Sequence, residues 1–249
     1  MATPLKKPFE GLRVADFAWV GVGPSVSKYL ADHGAEVIRI ETNTYPEAVR
    51  RVGPFVDDIP GLDRSGYYAN FNSSKLGITL NLKHPRGVEL AQRLVAECDV
   101  VTESFTPGTM ARLGLDYETL KAIRPDIVMI AMPLYGQTGP WGSFMGFGHV
   151  LQGAAGFNHL TGWADGPPIG TGTAYTDFLV PHIGALGLIA ANRHLACSGF
   201  QAALDIGGLS DRVAVAGLGG RTGGSGVRRV LADNHHFDHE FPVVFTAGV

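Results

Sequence analysis

Apolar and polar residues follow two alternating periods along the first half of the chain. LRVADFAWV (12–20) is a mostly apolar run suited to a strand covered on both faces. GVGPSV (21–26) follows, with Gly21 and Gly23 for a turn and Pro24 near the first helical position. SVSKYLADHGA (25–35) predicts a helix closed near Gly34, and EVIRIET (36–42) the next strand. A strand–helix–strand unit this compact implies a parallel sheet. LGITLNL (76–82) predicts another strand, and HPRGVELAQRLVAECD (84–99) an amphipathic helix with Val88, Leu90, Leu94 and Val95 at helical spacing. VVTES (100–104) is a strand running into the loop FTPGT, DYETLKAIRP (116–125) a helix with Asp116 as its cap, and DIVMIAM (126–132) a further buried strand. The expected fold class is therefore α/β: an open, Rossmann-like parallel sheet with flanking helices. Ligands of such sheets bind beyond the carboxyl ends of the strands.

The texture then changes. Residues 135–175 are rich in Gly, Thr and aromatics, a loop-like stretch long enough to suggest function. DFLVPHIGALGLIAANRHL (177–195) predicts a helix with a small-residue face. From about Leu195 the periodicity fails. Residues 195–249 hold ten glycines and no lysine, so the division expected is 1–194 as the α/β domain and 195–249 as an atypical, non-native or disordered tail.

Composition narrows the function classes. A net charge of −3 argues against a nucleic-acid binder but leaves room for one local basic pocket. Two cysteines, Cys98 and Cys197, make no disulfide framework. The start MATPLKKPFEG lacks the apolar stretch of a secretory signal, and FLVPHIGALGLIAA is too short and interrupted to span a bilayer. A cytoplasmic protein without membrane attachment is the expectation.

Several candidate chemistries compete. GVGPSV resembles half of a dinucleotide fingerprint, and Glu41 stands where a ribose-binding acid would, but the third glycine is replaced by Val26. His235, His236, Asp238, His239 and Glu240 cluster without metal-site spacing and read as a polar patch, so no metal is expected. Arg39, Lys75, Lys83 and Arg112 lie near strand ends and together could ring a phosphate-bearing ligand. There is no P-loop and no GxSxG. Asp177, at the start of the small-residue helix, has two readings: a helix cap, or a carboxylate nucleophile at a helix N-terminus.

FEGLRVADFAWVGVGP, LADHGAEVIRIE, the run NFNSSKLGITLNLKHPRGVELAQ through DIVMIAM, and YGQTGP resemble the N-terminal half of family III CoA-transferases, from about residue 8 to 194. That group includes formyl-CoA and carnitine CoA-transferases and α-methylacyl-CoA racemase. The resemblance implies a two-domain, interlocked homodimer, relative to which this chain is truncated. It implies an acyl-CoA and a carboxylic acid as substrates, with coenzyme A carried as a thioester and no prosthetic group. DGPPIGTGTAYTD places Asp177 at the family's nucleophile, which would pass through an aspartyl-CoA intermediate. CoA contacts carried over are Val20, Leu80, Lys83, Ser104, Phe105 and Arg112, with Thr42 in place of a basic residue. GFGHV puts Phe147 at the racemase histidine and His149 two residues later. A racemase-type isomerase and an inactive CoA-binding fragment are the alternatives.

Overall fold

The computed structural model describes residues 6–198 and 202–205, with side chains given through Asn192. Six strands form one sheet: β1 (Arg13–Asp16), β2 (Glu36–Glu41), β3 (Leu76–Thr79), β4 (Val100–Glu103), β5 (Val128–Ala131) and β6 (Ala202–Asp205). Their order is β3-β2-β1-β4-β5-β6, and every neighbouring pair is parallel. The chain moves outward one way from β1 and then returns to β4 on its other side. The order thus reverses between β1 and β4, which opens a crevice at their carboxyl ends.

The strand periodicity sorts side chains into two cores. In β1, Val14 faces one side and Ala15 the other; β4 divides Val100 from Val101, and β5 divides Val128 and Ile130 from Met129. The first face is covered by α1 (Val22–Asp32) and α8 (Tyr175–Ser198), through Val26, Leu30, Val180, Ala185 and Leu188. The second is covered by α3 (Pro85–Val95) and α5 (Tyr117–Ile123), through Ala91, Val95 and Leu120, with Leu115 just ahead of α5. Small residues let α1 and α8 approach closely: a Cβ on Gly184 would lie 2.7 Å from a Val26 methyl. Asp116 caps α5 as expected, accepting from the Thr119 N–H at 3.1 Å.

Three short α-helices lie where the residue pattern carries no helical signal: α2 (Gly66–Asn72), α6 (Gly148–Ala154) and α7 (Phe157–Leu160). Each is four to seven residues long, too short for a helical period to show. A single turn, α4 (Thr109–Arg112), follows β4. α1 begins at Val22, ahead of the expected start, because Gly21 and Pro24 both suit a first turn. Within the segment expected to be atypical from 195, α8 continues to Ser198 and Ala202–Asp205 pairs with β5 as an edge strand. The His/Asp/Glu cluster at 235–240 and Cys197 lie outside the described residues or side chains. Among the described residues, no helix is long and apolar enough to cross a membrane.

Candidate active site

Asp16, at the end of β1, is a carboxylate in a fully buried strand, and its surroundings are built to satisfy it. It accepts from the Ala18 N–H (3.1 Å), Ser27 Oγ (2.8 Å), Thr102 Oγ1 (2.8 Å) and Lys75 Nζ (2.9 Å), with Arg39 Nη1 at 3.5 Å. Burial pushes its pKa up, but the Lys75 and Arg39 charges outweigh that and hold the carboxyl below its ordinary value. Arg39 also donates to the Ala18 carbonyl (2.7 Å) and pairs with Glu47. This corrects the expectation of a phosphate-binding ring. Arg39 is 1% exposed and the Lys75 side chain 2%, and both cations are spent on buried partners. Glu41 is likewise unavailable to a ribose: Arg50 grips it with two nitrogens (2.9 and 2.7 Å) and the Tyr68 hydroxyl donates at 2.6 Å.

Glu47 is the weak point of this cluster. Burial, opposed by Arg39, raises its pKa to about 7. Its stabilising proton is held below the ordinary value near 4.5 and lost as pH rises through about 7, so stability falls across that window. Glu47→Gln, which cannot titrate, is expected to flatten the fall when urea unfolding is followed from acid to neutral pH. An unchanged slope would assign the dependence elsewhere.

The turn after β1 crosses the crevice. Val20 has φ 69°, a left-handed conformation that is costly for a β-branched residue, about 1–3 kcal/mol. Its neighbour Trp19 is tied to β4's extension: Ser104 Oγ accepts from the Trp19 N–H (2.8 Å) and donates to the Trp19 carbonyl (3.0 Å). The Trp19 ring meets Phe105 edge-on at 5.7 Å and stacks with Tyr45 at 6.0 Å. The fold therefore brings Val20, Ser104 and Phe105 together at the switch point. Leu80 packs against the same core cluster as Phe105, and its N–H donates to the Glu41 carbonyl (2.8 Å). Lys83 and Arg112 are exposed, on the β3–α3 loop and at the end of α4; Arg112 donates to Thr109 (2.8 Å). No direct contact joins either to the turn among the bonds described.

Asp177 lies in the first turn of α8, its N–H bonded to the Ala174 carbonyl at 2.9 Å. It is the third residue of the helix, so the capping reading does not hold. Its half-buried carboxylate instead meets the start of α6, where the Gly148 N–H lies against it. Burial raises its pKa, while the His149 charge and the Gly148 N–H pull back. α8 leads into a strand parallel to β5, so its N-terminus faces the carboxyl ends of the strands. Gly184 meets Val26, and Asp177 lies seven residues earlier, roughly 10 Å toward the level of the Val20 turn.

Gly148 is required for this contact. A Cβ there would collide with Asp177 Oδ1 and lie 2.6 Å from Thr176 Oγ1. Gly148→Ala is expected to push the carboxylate away, lowering activity at least about tenfold and stability by about 1–3 kcal/mol. Turnover and thermal melting together check it; wild-type turnover would mean that the carboxylate position is unimportant. In the sequence, Gly148 carries no signal beyond its place beside His149.

A separate cavity of about 480 Å³ opens at the amino ends of the strands, lined by Phe9, Asp99, Asp126 and Asn192 among others. It shares no residue with the crevice or with Asp177.

Residues 9–217 match the family described as CoA-transferase family III. Among curated proteins, a succinate–glutarate CoA-transferase of Agrobacterium fabrum is 37% identical over 212 residues, covering 84% of this chain and 53% of that protein. The mouse succinyl-CoA:glutarate CoA-transferase is 38% identical, covering 74% and 41%. The beta subunit of a succinyl-CoA–L-malate CoA-transferase from Chloroflexus aurantiacus is 34% identical, covering 75% and 45%. The chain thus spans about half the length of the curated relatives it matches. Among solved structures, a CAIB/BAIF family protein from Brucella suis aligns with a TM-score of 0.75 at 33% identity, over 82% of this chain and 53% of that one.

Proposed function

Because the chain belongs to CoA-transferase family III, we propose that it moves coenzyme A between an acyl-CoA thioester and a carboxylic acid, with Asp177 as the covalent nucleophile. The observation that carries this reading is the Asp177 carboxylate, half-buried and held against the Gly148 N–H at the carboxyl-end side of the sheet. The Asp177 carboxylate attacks the thioester carbonyl, forming a mixed anhydride and expelling the CoA thiolate. The thiolate then attacks the Asp177 carbonyl, freeing the donor acid and leaving an aspartyl-CoA thioester. The acceptor carboxylate attacks the same carbonyl, and the released thiolate returns to the acceptor's acyl group, restoring Asp177. Each step exchanges one acyl–oxygen for one acyl–sulfur bond, or the reverse, with no net proton. Backbone N–H groups near Asp177 would stabilise the oxyanions.

The relatives described above are named for succinate or succinyl-CoA with glutarate or L-malate, which supports short dicarboxylic acids as the substrate class. Val20, Leu80, Lys83, Ser104, Phe105 and Arg112 are assigned to the CoA side, of which Lys83 and Arg112 are the exposed cations suited to phosphate. Trp163 and Leu160, each 80% exposed near Asp177 in the chain, support a second copy covering this face, so a homodimer is the expected assembly. Incubation with succinyl-CoA and labelled glutarate, read by chromatography of the thioesters, tests the activity. Labelled glutaryl-CoA is expected. No exchange with any of a panel of short dicarboxylic acids would remove the assignment.

A second reading is an isomerase acting at the α-carbon. It is favoured by His149, whose charge acts on Asp177 and supplies a second acid–base group. Uptake of solvent deuterium at the α-carbon without an acceptor acid would establish it in place of transfer.

A further inference from the structure

We propose that Ser104 is a positioning residue for coenzyme A, not a ligand to it: its hydroxyl holds the Val20 turn in the left-handed conformation against which the CoA moiety docks. The inference rests on the CoA-transferase reading. Ser104 has one hydroxyl proton, and it is donated to the Trp19 carbonyl (3.0 Å) while the oxygen accepts from the Trp19 N–H (2.8 Å). Both backbone groups of the residue before Val20 are therefore satisfied by one side chain. The same side chain abuts the other end of the turn, since a Cβ on Gly23 would lie 3.1 Å from Ser104 Cβ.

The residues around Val20 are fixed one by one. Ala18 is held by Asp16 (3.1 Å) and Arg39 (2.7 Å), and the Gly21 carbonyl accepts from the Ser25 N–H (3.0 Å). Val20 donates its own N–H to Glu47, the Trp19 ring packs on Phe105 and Tyr45, and the Trp19 backbone is held by Ser104. A β-branched residue at φ 69° persists only where its surroundings over-determine it. Ser104 is the bond that ties this turn across the strand reversal to β4's extension, so it sets the shape of the crevice from the far side.

The test is a double-mutant cycle with coenzyme A itself as the probe. Calorimetric Kd values are measured for the full chain, for Ser104→Ala, for Val20→Gly and for the double variant. Ser104→Ala is expected to weaken CoA binding about tenfold by lowering the fraction of chains with a competent turn. Glycine adopts positive φ freely, so in the Val20→Gly background the same change is expected to cost about twofold or less. In turnover the Ser104→Ala loss is expected in KM for the thioester, with kcat retained. Equal losses in both backgrounds would make Ser104 a direct ligand and overturn the proposal, as would CoA binding untouched by Ser104→Ala. A full chain that binds no CoA would overturn the CoA-transferase reading itself. Should Ser104→Ala not fold, the double variant is expected to; an unfolded double variant also overturns the proposal.

Discussion

Asp177→Ala is expected to reduce CoA transfer by on the order of 10³-fold or more while leaving the protein folded. A covalent route has no substitute for the carboxylate, because the acyl group and then CoA must both be carried on it. The same substitution is expected to leave thermal stability unchanged or to raise it. Burial holds the Asp177 pKa above its ordinary value, so the folded state retains its proton longer than the unfolded state. Stability thus falls as pH rises through that range, because ionising the buried carboxylate costs folding free energy that alanine does not. Activity lost with stability kept or gained is the signature of a site strained for function. Steady-state turnover and melting curves on the same preparation give both quantities. A loss of less than about tenfold would leave Asp177 without a covalent role.

Arg39→Met is the second large effect, on folding and not on chemistry. Methionine keeps much of the stem's volume but leaves Glu47 without its cation and Asp16 with Lys75 alone. Breaking a buried pair from one side costs about 3–5 kcal/mol. The deficit has a pH signature. Arg39 lowers the Glu47 pKa that burial raises to about 7, so without it Glu47 holds its proton to still higher pH. The variant's native state then binds more protons than the wild type's above neutrality, and its deficit grows with pH. Urea unfolding at about pH 6 and about pH 9 measures the difference. A deficit independent of pH would remove Glu47 from the cluster.

The sheet was legible because its strands are short apolar runs broken by turns and by helices of recognisable period. β1, β2, β4 and β5 all lie where those runs stand, and the Asp116 cap follows from its place before Tyr117. The strand order was not legible, since pairing partners leave no local mark. The buried charges were half visible. Asp16 is the one acid in LRVADFAWV, and a carboxylate in a doubly covered strand requires a buried partner. That requirement identifies neither Arg39 nor Lys75, 23 and 59 residues away, whose places near strand ends suggest a phosphate-bearing ligand instead. Asp177 stood out through the family resemblance. Its dependence on Gly148 was hidden, because only the packing of α6 against α8 brings the two together. Ser104 carries a local signal only as a polar residue after β4; its two hydrogen bonds to the Trp19 backbone join segments 85 residues apart and leave no mark in the sequence.

The covalent intermediate is the most direct point of test. The full chain is incubated with succinyl-CoA, quenched with hydroxylamine, digested and analysed by mass spectrometry. Aspartyl hydroxamate at Asp177, dependent on the thioester and absent from Asp177→Ala, is the expected result. Transfer of CoA to an acceptor acid with no hydroxamate at Asp177, and with Asp177→Ala retaining full activity, would contradict it.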